Sequence, residues 1–138
     1  MKLYFDRTQS PRLARIAAEV LVHLGHGCDW SRNRYPDRDP GDVQWMKDLA
    51  AEGGWVVVTG DERIIRNPAE RAVWRASGLT TFFLLPAWMR APLEDQAWRL
   101  LRWLPRFIEL ATAERTGTGL AVPLRWHGGR LKRVWSPR

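Results

Sequence analysis

The 138-residue chain contains one cysteine, Cys28. One thiol cannot close an internal disulfide, and it excludes a zinc site built on paired cysteines. The histidines, His23, His26 and His127, have no metal-ligand spacing. No apolar run approaches the ~18 residues that suggest a membrane span. The N-terminal MKLYFDRTQSPRLAR turns charged and polar after five residues, so it lacks the apolar core of a signal peptide. These absences point to a cytoplasmic protein with no membrane attachment. There is also no GxGxxG, P-loop or GxSxG element, which removes the common dinucleotide, nucleotide and serine-hydrolase signatures.

Acidic charge is scarce in the second half of the chain. Residues 1–70 carry 10 basic and 11 acidic residues, and residues 71–138 carry 12 and 4. The whole chain has 22 Lys+Arg against 15 Asp+Glu, a net charge of +7. An acidic half beside a basic half suits an enzyme that holds a cation with carboxylates and a polyanion with arginines. A high arginine content alone also gives a basic protein, and composition does not separate the two. Nine tryptophans are scattered along the chain. Most are expected in the core, and any left exposed are candidates to stack on bases.

The order of local signals is alternating strand and helix. Lys2 to Phe5 is a short strand. Ser10 caps a helix that Pro11 begins, with Leu13, Ala17, Val20, Leu21 and Leu24 at helical spacing and Gly25 ending it. Gly27 to Trp30 reads as a second strand and residues 31–40 as a loop. Asp39 and Pro40 open the next helix, and Gly53-Gly54 closes it. The β-branched run Trp55 to Thr59 is a strand buried on both faces, as in a parallel sheet. Asn67-Pro68 starts a short helix, Thr80 to Leu85 is another buried strand, and a long helix from Leu93 to Thr112 should kink or split at Pro105. Gly128-Gly129 between two alternating stretches predicts a hairpin. The fold expected is a three-layer α/β/α sandwich with a mostly parallel sheet, right-handed crossovers, and a C-terminal hairpin. Residues 1–112 make the main domain, and residues 113–138 a basic extension.

Ligands of a parallel sheet sit beyond the carboxyl ends of its strands. Asp6 follows the first strand directly, and Asp61 follows Thr59 by two positions. Asp42 precedes Met46 by four and Leu49 by seven, which turns its carboxylate toward the buried helix face. Each acid has a local alternative as a turn or capping residue. Together they form a carboxylate cluster whose mutual repulsion a divalent cation would relieve. Oxygen-only ligands favour Mg²⁺ or Mn²⁺. Arg63 and Arg66 follow Asp61 closely and are candidate phosphate contacts. Arg125, Arg130, Lys132 and Arg133 in the basic tail are candidates to track a nucleic-acid backbone.

The segments FDRTQSPRLARIAAEVLVHLGH, DPGDVQWMKDLA and GGWVVVTGDERI resemble the PIN-like domains, which include the VapC ribonuclease toxins, and more closely a short PIN-like subgroup. The likeness covers roughly residues 1–90, with Thr59-Gly60-Asp61 its most specific part. It implies a Mg²⁺- or Mn²⁺-dependent endoribonuclease with Asp6, Asp42 and Asp61 as metal-binding acids and Thr59 as the hydroxyl that orients an acid or a water. It also implies an RNA substrate, a cognate antitoxin protein and, often, a homodimer. The family's further acid on an early helix has no single match; Glu19, Glu62 and Glu70 are alternatives. A fold that keeps RNA binding without tight metal binding is the competing expectation.

Overall fold

The computed structural model describes residues 1–138. Six strands form one sheet: β1 (Lys2–Phe5), β2 (Gly27–Trp30), β3 (Trp55–Thr59), β4 (Thr80–Leu84), β5 (Gly119–Val122) and β6 (Lys132–Trp135). Their spatial order is β2-β1-β3-β4-β5-β6. The first five are parallel, and β6 returns antiparallel to β5. Seven helices connect them: α1 (Pro11–His23), α2 (Ser31–Arg34), α3 (Asp42–Glu52), α4 (Arg63–Arg66), α5 (Pro68–Ala76), α6 (Ala87–Arg90) and α7 (Leu93–Ala113). No helix is long and apolar enough to cross a membrane.

The strands are short and apolar because both sheet faces are covered. Alternate residues go to opposite layers. Leu3, Phe5, Val56, Val58, Phe82, Leu84, Leu120 and Val122 pack against α1 and α7. Tyr4, Val57, Phe83 and Ala121 face the other layer, with Trp45 and Leu49 of α3 and Trp74 of α5. Trp45 lies 5.1 Å from the Tyr4 ring and 5.6 Å from the Trp74 ring, centroid to centroid. This aromatic chain ties α3 and α5 to the sheet, each contact adding about 0.5–1.5 kcal/mol beyond area burial. The three-layer sandwich and the terminal hairpin follow the expected architecture.

Local signals set most helix starts. Ser10 Oγ accepts from Arg12 N at 3.2 Å. Asn67 Oδ1 accepts from Ala69 N at 2.9 Å and Glu70 N at 3.3 Å. The start of α3 differs from expectation. Its N-cap is Gly41, with φ 87°, a left-handed conformation that glycine adopts without a Cβ penalty. Asp39 instead turns the chain beforehand, accepting from Gly41 N at 2.9 Å. Residues 31–34, expected as loop, form the single turn α2.

Two further departures have physical causes. Pro105 lies inside α7, which runs unbroken through it. Its ring is exposed, while Trp103, Leu104 and Phe107 on both sides of it are buried in one core, so packing holds the helix across the missing hydrogen bond. The crossovers also do not share one hand. The β3–α5–β4 and β4–α7–β5 connections step the same way across the sheet, but α5 packs on one face and α7 on the other. The second connection therefore has the opposite hand to the first. It spans residues 85–118, enough chain to reach the opposite layer.

Candidate functional site

The sheet register brings the first acid to the third strand. Phe5 lies opposite Val58, so Asp6 falls beside Thr59, and Asp6 N donates to Val58 O at 3.2 Å. Both side chains continue the face of Tyr4 and Val57, toward α3 and α5. Thr59 Oγ1 donates to Asp6 Oδ2 at 2.5 Å. The other carboxylate oxygen accepts from Thr8 N at 3.0 Å and from the Thr8 hydroxyl. Asp6 is 4% exposed. Burial pushes its carboxyl up to about 6; the hydrogen bonds from Thr59 and Thr8 oppose that, and nearby Asp42 adds to it.

Thr59 also accepts from Asp61 N at 3.2 Å. One hydroxyl thus links the acid after β1 to the acid after β3. Asp61 Oδ1 accepts from Arg63 N at 3.0 Å, which shapes the turn into α4. Asp42, the first residue of α3, accepts from Trp45 Nε1 at 3.0 Å. Because Trp45 is locked in the aromatic chain, this bond fixes the carboxylate relative to the sheet.

Carboxylate oxygens of Asp42, Asp61 and Glu70 all lie within 4.8 Å of one another. This trio differs in one member from the three acids read from the sequence. Asp6 sits next to it, joined through Thr59, and Glu70 enters from the first turn of α5. Of the other two alternatives, Glu19 is exposed on α1, and Glu62 pairs with Arg66 at 3.7 Å. Glu70 was legible only as an alternative, because its position three residues after Asn67 also suits a cap. Asn67 caps with its own side chain, which leaves the Glu70 carboxylate free for the trio.

Sequence reasoning missed what occupies the centre of the trio. Arg63 Nη2 lies 2.6 Å from Asp61, 3.0 Å from Asp42 and 3.2 Å from Glu70. Its guanidinium offsets part of the cluster's negative charge, and the bonds to Asp61 hold it further into the charged range. No periodicity exists in a four-residue helix to show which way its arginines point. Arg66 points away and is 77% exposed.

The donor set is all oxygen and strongly anionic, which matches the ligand chemistry of Mg²⁺ or Mn²⁺ and offers nothing to a thiophilic metal. The cationic guanidinium already held there shows that the trio stabilises positive charge.

The basic residues of the tail divide. Arg125 is exposed just beyond β5, at the same sheet edge as the acids. Arg130 Nε donates to the His127 carbonyl at 3.1 Å, and Arg133 pairs with Glu114 at 2.8 Å. Lys132 is exposed at the start of β6.

Residues 1–85 match a family described as a PIN like domain. No curated protein and no solved structure matches the chain.

Proposed function

The chain belongs to the PIN-like domain family, a nuclease fold, and on that premise we propose that it is a Mg²⁺- or Mn²⁺-dependent endoribonuclease, the toxin of a toxin–antitoxin pair. The observation that carries this is the convergence of Asp42, Asp61 and Glu70 at the carboxyl edge of the sheet, beside Asp6. Those three carboxylates would hold the cation, with Asp6 as neighbour. A bound cation supplies an activated water and neutralises charge at the phosphate.

The chain's own side chains do the rest. Thr59 holds the Asp6 carboxylate in one orientation through its 2.5 Å bond. Asp6, buried and held by Thr59 and Thr8, adds a fixed negative charge beside the trio. Trp45 orients Asp42 through the indole N–H. Arg63, 58% exposed, can swing from the carboxylates to a phosphate oxygen. Arg66, Arg125, Arg130, Lys132 and Arg133 add positive charge along the RNA backbone. An antitoxin protein and a homodimer are the partners this reading implies, and both rest on the family resemblance.

Arg63 also favours a second reading, in which the domain binds RNA and cleaves weakly or not at all. A guanidinium already held among the three carboxylates lowers the gain from binding a metal. Incubation of the purified chain with a mixed RNA pool, in Mn²⁺, Mg²⁺ or EDTA, separates the two. Cleavage that needs a divalent cation supports the nuclease. Bound RNA left intact in every buffer supports the binding module.

A further inference from the structure

Beyond the acids, the same sheet edge carries a second group of residues built for a different task. The segment after β5 and the first half of α7 meet there. Arg99 Nη1 donates to the Leu124 carbonyl at 3.3 Å, and Arg106 Nε to the Gly129 carbonyl at 2.9 Å. These bonds pin the helix to the segment and leave a cleft of about 120 Å³ between them. Its floor is apolar, with Trp103 lying 4.6 Å from the Trp126 ring.

Its rim alternates indole and guanidinium. Trp98 is 52% exposed, the most exposed of the nine tryptophans. Its Nε1 donates to Asp95 at 2.9 Å, so the ring is held rather than free to fold back. Arg99 lies over this ring at 4.5 Å from the centroid, and Arg102 over Trp126 at 4.4 Å. Asp95 pairs with Arg99 at 3.0 Å. Arg102 and Arg125 have no acidic partner, so the rim is left with net positive charge.

We propose that this cleft is a binding site for single-stranded RNA, in which a base stacks on Trp98 while Arg102 and Arg125 hold flanking phosphates. Aromatic faces beside unpaired arginines are what a single strand needs, because its bases are open for stacking. Paired bases in a duplex offer no such face. The position fits as well. β5 lies two strands from β3, about 10 Å at ordinary strand spacing, and Arg125 follows β5 at the edge where Asp61 follows β3. Arg90, exposed and without an acidic partner at the end of α6, follows β4 between them. The acids face the α3 and α5 layer and the cleft faces the α7 layer, so the two sites share this edge from opposite sides of the sheet. All of these cleft residues lie outside the family match at 1–85, so the site belongs to this chain's own C-terminal part. The choice of RNA as the strand rests on the ribonuclease reading; the stacking geometry does not.

The test is binding of a fluorescent single-stranded RNA 12-mer, measured by anisotropy in EDTA, where no divalent cation is bound. Wild type should bind the single strand more tightly than the same sequence as duplex. Trp98→Ala should weaken binding roughly tenfold, the usual loss when a stacked base loses its platform, and Trp98→Phe should restore most of it. Arg102→Ala and Arg125→Ala should each lower the slope of log affinity against log salt by about 0.7. No cleavage enters this readout, so a failed nuclease reading leaves this result standing. Equal affinity in wild type, Trp98→Ala, Arg102→Ala and Arg125→Ala would overturn the proposal, as would no binding by wild type at low salt. Either result would leave the face to a protein partner.

Discussion

Arg63 donates to Asp61 across 2.6 Å, and the same nitrogen reaches Asp42 and Glu70. Three carboxylates from the start of α3, the turn after β3 and the start of α5 thus share one internal cation. A divalent metal at the trio has to compete with that guanidinium. Replacement of Arg63 by glutamine removes the competitor. The Arg63 side chain is 58% exposed and screened by solvent, so Mn²⁺ should bind roughly 3- to 10-fold more tightly to Arg63→Gln in isothermal titration, a gain of about 1 kcal/mol. Unchanged or weaker Mn²⁺ binding would show that Arg63 does not compete.

Asp6 makes stability depend on pH. Its folded-state value, about 6, lies above the ordinary 3.8. The folded protein therefore holds this proton more tightly than the unfolded chain does. A raised carboxyl lowers stability as pH rises from about 4 to above 6. The loss amounts to about 2 kcal/mol between roughly pH 4.5 and 7.5. In urea titrations without divalent cation, Asp6→Asn should flatten this slope. An unchanged slope would mean that Asp6 is not the group responsible.

Thr59 serves two acids at once, donating to Asp6 and accepting from the Asp61 amide. Thr59→Val keeps the shape and removes both bonds. A buried N–H and a buried carboxylate oxygen would each lose a partner, at about 1–3 kcal/mol per group. The melting temperature should fall, and Asp6 should titrate still higher when followed by carboxyl NMR. A variant as stable as wild type would contradict the bridging role.

Gly119 packs directly under the Trp135 ring. A Cβ there would meet ring carbons at 2.3 Å. Trp135 is buried, and its Nε1 donates to the Gly117 carbonyl at 2.9 Å. Gly119→Ala should therefore destabilise by about 1–3 kcal/mol through overpacking, with β6 losing protection first in hydrogen exchange. Wild-type protection in β6 would show that the ring moves aside without cost.

The sequence carried the strand ends and therefore Asp6, Thr59 and Asp61, because an acid after a buried apolar run in a parallel sheet has one destination. It carried Asp42 through its spacing to Met46 and Leu49. Glu70 was harder to read, since the capping and site roles call for the same residue type at the same position. Arg63 was named as a phosphate contact, but its seat among the carboxylates depends on how α3 and α5 pack, which no local pattern encodes. Trp98 and Trp126 are 28 positions apart in the chain. Only the docking of α7 against the segment after β5 makes them neighbours. Pro105 misled for a related reason: local propensity favours a break, and the buried residues on both sides of it outweigh that preference.

The most direct test of the acid edge is single-turnover cleavage of a single-stranded RNA by wild type and Asp61→Asn, with Mn²⁺ and with EDTA. Asp61 receives Arg63 and is linked through Thr59 to Asp6, so it joins both halves of the site. Cleavage by wild type in Mn²⁺ should disappear in EDTA and fall at least about 100-fold in Asp61→Asn, with the variant still folded by circular dichroism. Full cleavage by folded Asp61→Asn, or cleavage by wild type that persists in EDTA, would contradict the account.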